Sequence, residues 1–241
     1  MQPLSAAAGA ALALFLGYAL IPDAMERRSP SSLRRGPAGT GGVALTFDDG
    51  PHPELTPKVL DHLAAARAHA TFFVVGEHVR RYPEIVARAV REGHALGVHT
   101  DTHRHAWVTA PGRLRAEVDA CLEAIAAATG GGRPLWFRPP WGAFNATTRP
   151  IVASRRLHVA LWSCDAGDWL PGAGTGAIAG RVRRGLQAGA IIDLHDGGQT
   201  PAGCAAMTEA LPDILGTMDE RGLRAIHLGE FFGLPALVGA T

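Results

Sequence analysis

Seven short apolar runs alternate with helical segments along this chain, and this alternation restricts the possible folds more than any other feature. The runs include residues 43–45, 70–75, 190–194 and 223–227. Because each run is followed by a segment long enough to cross over a sheet, neighbouring strands are expected to be parallel. The pattern predicts an α/β fold whose sheet closes as a (β/α) barrel, with an open doubly wound sheet as the alternative.

The composition is that of a globular protein without a strong charge. The 241 residues, 47% of them hydrophobic, suffice for one large α/β domain or two small ones. A formal net charge of +1 gives no reason to expect nucleic-acid binding, and no protein partner can be inferred. The three cysteines, an odd number without C-x-x-C spacing, indicate neither a disulfide framework nor a cysteine metal site.

The amino terminus is unusually apolar. Leu4 to Ile21 is a stretch of 18 residues without a charge, close to the roughly 20 that cross a bilayer. An uncleaved membrane anchor is the expectation; a cleaved signal, a peripheral helix and a translation start that really lies at Met25 are the alternatives. We therefore expect membrane association in the cell envelope rather than the cytoplasm. Four arginines follow the segment and would keep that side cytoplasmic, so the orientation stays open.

These features divide the chain into three predicted parts. Residues 1–22 are the hydrophobic anchor or signal segment. Residues 23–41, rich in Arg, Ser, Pro and Gly, are a linker. Residues 42–235 form the α/β domain.

Polar residues cluster where five of the predicted strands end. In a parallel sheet the carboxyl ends of the strands lie at one edge, which is where α/β proteins place their sites. The five clusters should therefore meet at that edge. They are Asp48–Asp49, His99–His103, Arg138–Gly142, Asp165–Trp169 and Leu194–His195.

The adjacent carboxylates Asp48 and Asp49 carry the strongest chemical indication. Two neighbouring anions are costly to bury unless a cation or a shared proton compensates them. His99 and His103, together with one carboxylate, give the two-histidine, one-carboxylate set that binds zinc or a similar divalent ion. A histidine pair at this spacing also arises by chance, so its position after a strand strengthens the prediction.

The other polar residues have ordinary structural alternatives. Arg138 can be a surface cation, but the two prolines after it favour a side chain held rigidly to orient an anion. Asp165 and Asp168 can be turn residues. His195 follows a buried strand and precedes Asp-Gly-Gly, so it lies on a loop at the expected site, where a catalytic role becomes more plausible.

In order and spacing, these five segments resemble the NodB-type polysaccharide deacetylases, carbohydrate esterase family 4, over about residues 42–232. The resemblance implies a distorted (β/α) barrel, the NodB homology domain. It also implies a divalent metal, usually zinc, with Co²⁺ or another divalent ion as the alternative. The implied reaction removes N-acetyl groups from a glycan of the peptidoglycan or chitooligosaccharide type. The same machinery acting on an O-acetyl ester or a non-carbohydrate amide is the alternative, and a carbohydrate-binding protein on a decayed barrel would lack one of the matched residues.

The resemblance implies three kinds of site residue. The implied metal ligands are Asp49, His99 and His103. The implied proton-transfer residues are Asp48 as base, His195 as acid, Arg138 orienting the base and Asp168 tuning the acid. The implied substrate contacts are the backbone N–H of Trp141 as oxyanion donor, and Trp169 and Leu194 as apolar walls for the acetyl methyl.

The sequence departs from the family pattern at three positions. Trp141 stands where tyrosine or phenylalanine is more usual, and Val98 where asparagine is frequent. Asp193 interrupts a strand that is normally aliphatic. It is either a half-exposed charge or a partner of the site. No departure removes one of the implied catalytic roles.

Overall fold

A parallel sheet of nine strands forms the centre of the protein in a computed structural model that describes residues 3–37, 39–198 and 201–239. The strands are β1 Ser32–Leu33, β2 Gly42–Asp48, β3 Thr71–Val74, β4 Ala95–Val98, β5 Trp136–Phe137, β6 His158–Ala160, β7 Cys164–Asp165, β8 Ile191–His195 and β9 Arg224–Ile226.

Helices follow most of the strands and cover the outside of the sheet. They are α1 Pro3–Phe15, α2 Ile21–Arg28, α3 Leu55–Ala65, α4 Gly76–Arg81, α5 Pro83–Arg91, α6 Pro111–Ala128, α7 Thr148–Ser154, α8 Thr175–Gly185, α9 Pro201–Glu220 and α10 Leu228–Phe232. A π-helical turn, Leu16–Leu20, joins α1 to α2. Short 3₁₀ turns span Ala106–Val108 and Pro140–Gly142.

The strand order shows a barrel that closes irregularly. The order is β1-β6-β5-β4-β3-β2-β8-β7, and β9 pairs with the first residues of β2. All of these strand pairs are parallel. The sheet curls until Arg35, just after β1, forms an antiparallel bridge with Ala190, just before β8. The prediction of a distorted (β/α) barrel is confirmed.

All seven predicted strands are present, and two short strands join them at the edges of the sheet. β1 pairs with β6, and β7 pairs with β8. β1 and most of α2 lie within residues 23–41, the segment predicted to be a linker. Neither β1 nor β7 has an apolar run of its own. Both are extended because a neighbouring strand offers them a hydrogen-bonding edge.

Side-chain alternation along the strands gives the sheet two apolar faces. Leu45 and Phe47 on β2 pack outward against the helices in the larger core cluster. Ala44 on β2 and Ile191 on β8 belong to a smaller cluster inside the curl. Because alternate residues of a strand point to opposite faces, the last inward positions of β2 and β8 carry the polar residues of the site.

The amino-terminal helical stretch is packed only at its carboxyl-terminal end. Ala7–Arg28, 22 residues, is long and apolar enough to cross a membrane by length and composition alone. In its first half Leu12 and Leu14 are exposed, whereas Ala19 and Asp23 further along are buried against the barrel. The predicted boundary between anchor and linker therefore falls inside a continuous helical stretch.

Candidate active site

The carboxyl ends of β2 and β8 bring the proposed base and acid side by side. Asp48 and His195 end the two strands and are direct partners in the parallel ladder. Two residues earlier in the same ladder, Thr46 is paired with Asp193. All four positions share the inward face of the curled sheet. Asp48, Asp193 and His195 form the floor of a cavity of about 380 Å³, and Trp141, Trp162 and Trp169 line its walls.

Asp49, His99 and His103 converge on one point at the edge of this cavity. Asp49 Oδ1 lies 3.3 Å from His99 Nε2 and 3.0 Å from His103 Nε2. Burial raises the pKa of Asp49, but the two imidazoles outweigh it and lower the pKa well below its ordinary value. This carboxylate is therefore ionised. Asp49 and His103 both have a left-handed backbone, with φ of 73° and 54°, which turns their side chains toward each other.

The hydrogen bonding of His99 indicates that this cluster suits a cation. His99 Nδ1 lies 2.8 Å from the carbonyl oxygen of Arg138, which can only accept, so Nδ1 carries a proton and Nε2 presents a lone pair whenever the ring is neutral. Asp49 Oδ1 is buried without a hydrogen-bond partner among the described residues. Two imidazole nitrogens and a carboxylate oxygen around an unsatisfied point are the donor set expected of a zinc-like ion, and the backbone carbonyl supplies the usual outer hydrogen bond.

Arg138 holds Asp48 from below. Its side chain is fully buried, and Nη1 donates to Asp48 Oδ1 at 2.7 Å. The other guanidinium nitrogens donate to the carbonyl oxygens of Ala160 and Leu161, while the guanidinium carbon lies 4.2 Å from the centre of the Phe73 ring. A side chain fixed at this many points cannot swing away, so it orients the carboxylate beside it.

Asp193 is the site residue whose role the sequence left open, and the structure places it inside the cavity. It is 3% exposed, and its Oδ1 accepts from Arg138 Nη1 at 2.6 Å. Burial, followed by the negative charge of Asp48, raises the pKa of Asp193 well above its ordinary value. The side-chain period of a strand contained the signal: once His195 faces the site, the residue two positions earlier must face it too.

The same period explains the position of Leu194. Its side chain is fully buried in the outer core, between sheet and helices. It is not among the described residues that line the cavity. Leu194 was expected to form an apolar wall of the acetyl pocket. In the structure Asp193 lines the cavity instead.

Asp168 fixes the proposed acid. It is fully buried, and its two oxygens accept from the backbone N–H of His195 at 2.7 Å and from His195 Nδ1 at 2.9 Å. Burial lowers the pKa of His195, but the hydrogen bond to Asp168 and the surrounding carboxylates outweigh it and raise the pKa well above its ordinary value. The imidazole is therefore held as a cation with its other nitrogen free to face the cavity.

Two half-exposed tryptophans stand at the mouth of the cavity. Trp141, 48% exposed, has a left-handed backbone (φ 56°) and packs its ring against His103 at 4.2 Å and His105 at 5.0 Å between centroids. Trp169, 47% exposed, donates its indole N–H to Asp165 at 3.2 Å. Asp165 therefore orients a rim residue, in addition to accepting from a backbone N–H in its own turn.

The end of the amino-terminal helical stretch is fastened to the loops that carry this rim. Tyr18 Oη donates to the carbonyl oxygen of Thr109 at 2.6 Å and accepts from Asn145 Nδ2 at 3.0 Å. Asp23 Oδ1 accepts from the backbone N–H of Phe144 at 2.8 Å. These loops follow β4 and β5, the strands that lead to His99 and Arg138.

A curled parallel α/β barrel with these polar residues at its carboxyl rim is the architecture of the carbohydrate deacetylases. The polysaccharide deacetylase family matches residues 35–160, more than half of the chain. The chain therefore belongs to the polysaccharide deacetylase family, and it is a hydrolase that acts on amide bonds. The matched segment contains the three proposed metal ligands, Asp48 and Arg138, and ends before Asp168 and His195.

Curated relatives and a solved structure resemble the chain over a larger part of its length. It is 39% identical to a chitooligosaccharide deacetylase of Bradyrhizobium sp. over 160 residues, which cover 66% of this chain and 73% of the relative. It is 33% identical to a peptidoglycan-N-acetylglucosamine deacetylase of Bacillus cereus over 198 residues, covering 82% and 70%. The structure of the Bc1960 peptidoglycan N-acetylglucosamine deacetylase matches with a TM-score of 0.80 at 29% identity, covering 86% of this chain and 94% of that chain.

Proposed function

We propose that this protein is a metal-dependent N-deacetylase that releases acetate from glycans containing N-acetylglucosamine, of the peptidoglycan or chitooligosaccharide type. The observation that carries the proposal is the arrangement at the rim. A cation-binding donor set, Asp49 with two histidines, stands beside a carboxylate fixed by Arg138 and an imidazole fixed by Asp168. The names of the relatives supply the glycan class.

The metal site would consist of Asp49, His99 and His103. These residues would hold a divalent ion, most simply zinc, which would supply Lewis-acid chemistry by polarising the acyl carbonyl and lowering the pKa of water. Co²⁺ or another divalent ion would satisfy the same nitrogen and oxygen donors. The hydrogen bond from His99 to the Arg138 carbonyl keeps that imidazole in the required orientation before any ion arrives.

Asp48 is the proposed base. It lies within 3.7 Å of His99 Nε2 and is held by Arg138, so its carboxylate is aimed at the space next to the ligand cluster. An attacking water there transfers its proton to Asp48 as the new carbon–oxygen bond forms. We propose the backbone N–H of Trp141 as the donor that stabilises the oxyanion produced by this attack.

His195 is the proposed acid. An amide nitrogen cannot leave as an anion near neutral pH, so it must be protonated as the carbon–nitrogen bond breaks. Asp168 keeps His195 cationic and fixes its ring, and the free nitrogen faces the cavity opposite Asp48. Acid and base thus approach the reacting carbon from two neighbouring strand ends.

Trp141 and Trp169 are the proposed contacts for the substrate at the mouth of the cavity. Both rings are half exposed at the mouth, where a sugar ring can stack on them. We further propose that the exposed apolar residues before Tyr18 associate with a membrane, which would hold the domain in the cell envelope near its glycan. The orientation across that membrane is left to experiment.

A substrate panel tests the proposal. Acetate release would be measured on chitooligosaccharides, peptidoglycan fragments, acetylxylan and a simple aryl acetamide, with and without a chelator. We expect release from the two N-acetylated glycans, its loss with chelator, and its return on adding Zn²⁺ or Co²⁺. Release from acetylxylan or the aryl amide alone would favour an esterase or a non-carbohydrate amidase. Release that persists after complete metal removal would contradict the metal dependence.

A further inference from the structure

The floor of the cavity carries a carboxyl group that none of the proposed catalytic steps uses. Asp193 lies on β8 two residues before His195 and lines the cavity, whereas Ile192 and Leu194 on either side of it point into the outer core. An oxygen of Asp193 lies within 4.8 Å of both an oxygen of Asp48 and a ring nitrogen of His195. The group therefore borders the point where base and acid must both reach the substrate.

Among the residues that the structure describes, only one of the two oxygens of Asp193 has a hydrogen-bond partner. Oδ1 accepts from Arg138 Nη1 at 2.6 Å. Oδ2 forms no hydrogen bond with the described residues, and it is not one of their fully enclosed unsatisfied atoms. It is thus available to a group that enters the cavity.

The layout of the cavity determines which part of a substrate reaches this oxygen. The sugar must remain at the mouth, where Trp141 and Trp169 are about half exposed. The amide carbon must lie between Asp48 and His195, with its nitrogen toward His195. The remaining substituent on that carbon is the acyl chain, and the buried end of the cavity left for it ends at Asp193, which is 3% exposed.

We propose that Asp193 is a specificity-determining residue that selects acyl groups carrying a hydroxyl on the carbon next to the carbonyl, so that an N-glycolyl amide is cleaved in preference to an N-acetyl amide. The proposal rests on the N-deacylase function proposed above. A water supplies the oxygen of the glycolate product, its proton passes to Asp48, and His195 protonates the departing amine. The reaction needs no further reactant.

The reason lies in what each acyl group does to Oδ2 of Asp193. A methyl group placed against it removes water from a carboxyl oxygen and returns no hydrogen bond. A hydroxyl group replaces that water, and because it both donates and accepts it suits the carboxyl group in either protonation state. Sites built to bind a substrate hydroxyl reject the analogue that lacks it far more strongly than apolar pockets reject an added group.

The test compares the two acyl groups on one glycan. kcat/KM would be measured for N-acetyl and N-glycolyl chitooligosaccharides with the full-length, metal-loaded protein and with Asp193→Leu. We expect the wild-type protein to favour the glycolyl amide by about fivefold or more, which is the typical effect of one hydrogen bond. Asp193→Leu should lose this preference and favour the acetyl amide. Asp193→Asn, whose amide can still bond a hydroxyl, should keep a glycolyl preference.

Control measurements separate this role from general damage to the site. Asp61→Leu removes a carboxyl group paired with Arg88 outside the cavity and should leave the wild-type ratio unchanged. The ratio of inhibition by glycolate and by acetate gives the same comparison without turnover, should Asp193→Leu fold but react slowly. If Asp193→Leu fails to fold, as judged by its thermal melt, the test uses the glycolyl-to-acetyl ratio of kcat/KM in the wild-type protein and in Asp193→Asn. Both should favour the glycolyl amide, and a ratio near one in the wild-type protein overturns the proposal.

The outcomes distinguish the two proposals. A wild-type ratio near one, or an acetyl preference unchanged in Asp193→Leu, overturns the role of Asp193 and leaves the deacetylase proposal intact. Failure of the metal-loaded wild-type protein to release acid from either amide overturns the proposed function and this inference with it. A glycolyl preference that disappears in Asp193→Leu and survives in Asp61→Leu supports both.

Discussion

The proposed metal ligand Asp49 and the proposed base Asp48 are adjacent residues, and single substitutions should separate the two roles. His103→Ala removes one of three proposed metal donors and should lower metal affinity at least about tenfold. Asp48→Asn keeps the shape and the Arg138 contact but loses the base, so it should retain metal and lose turnover by about a hundredfold or more. Metal content by mass spectrometry and acetate release would be measured on the same samples.

The matched control is His158→Ala, which removes an exposed histidine on β6 and should change neither quantity. Comparable metal loss in His103→Ala and Asp48→Asn would show that Asp48 is itself a metal ligand and has no separate role as the base.

The pH dependence of turnover should depend on the Asp168–His195 pair. The folded pKa of His195 is raised, so the protonated acid is present at neutral pH and is lost as the pH rises through that pKa. Asp168→Asn removes the hydrogen-bonded anion and should move the alkaline limb of the kcat profile to lower pH, with a loss of turnover of about a hundredfold or more. An alkaline limb that stays in place in Asp168→Asn would exclude His195 as the titrating acid.

At the level of residues, the sequence predicted the identities in the site better than the directions in which they point. Asp49, His99 and His103 converge, as do Asp48 with Arg138 and His195 with Asp168, because strand ends in a parallel sheet meet at one edge. Whether Asp193 or Leu194 points into the cavity depends on which face of β8 each residue occupies. Leu194 and His195 were both expected at the site, but neighbouring residues of a strand point to opposite faces. The ladder to β2 makes Asp193 and His195 the inward pair.

The segment around helix α2 behaves as part of the barrel and not as a free connection. Tyr18→Phe removes the hydroxyl that donates to Thr109 and accepts from Asn145, leaving a part-buried carbonyl with one partner fewer. We expect a loss of about 1 to 2 kcal/mol in the free energy of unfolding. Denaturant unfolding in detergent would measure it, with hydrogen exchange at residues 105–109 as a local probe.

Arg28→Ala, which removes an exposed bond within the same helix, serves as the control and should be neutral within about 0.5 kcal/mol. Equal stability of Tyr18→Phe and the wild-type protein would mean that the segment rests on the rim without stabilising it.

At the level of elements, long periodic segments were predictable and short dependent ones were not. The apolar runs of β3 and β8 and the length of α6 and α9 were enough to predict these four elements. β7 has only two residues, one of them charged, and it is a strand because β8 supplies its ladder. The amino-terminal stretch was predicted from its apolar composition, whereas its attachment by Tyr18 depends on loops about 90 and 130 residues further along the chain.

The whole molecule should lose stability in mild acid through a histidine far from the site. His94 is 2% exposed, and burial, with smaller effects of His69 and His227, lowers its pKa to about 4. The unfolded chain protonates this residue near pH 6.5, so its contribution to stability is complete above that value and is lost as the pH falls toward 4. The expected loss is about 2 kcal/mol between pH 7.5 and 5.

The measurement is urea unfolding of the wild-type protein and His94→Gln across this range, in the presence of chelator so that loss of metal does not contribute. Glutamine can still accept from the backbone N–H of Ala70, which His94 Nδ1 now binds. The variant should show the shallower dependence on pH. Parallel curves for the two proteins would assign the acid sensitivity to other groups.

At the level of the whole molecule, the alternation of strands and helices was enough to predict the fold class. It was not enough to predict how the barrel closes, because closure relies on the bridge between Arg35 and Ala190 in a segment without periodicity. The family resemblance predicted that the barrel is distorted, which the periodicity alone did not. Neither the periodicity nor the resemblance predicted an acyl-binding role for Asp193, because this aspartate departs from the family pattern.

Arg138 also has a consequence for how such a protein would change over evolutionary time. Its backbone carbonyl holds His99, and its side chain holds Asp48. A point mutation to a residue without a cationic side chain leaves the carbonyl in place but removes the group that holds the carboxylate. A descendant that loses Arg138 would therefore lose turnover first and keep its affinity for metal. It would persist as an inactive protein that still binds metal.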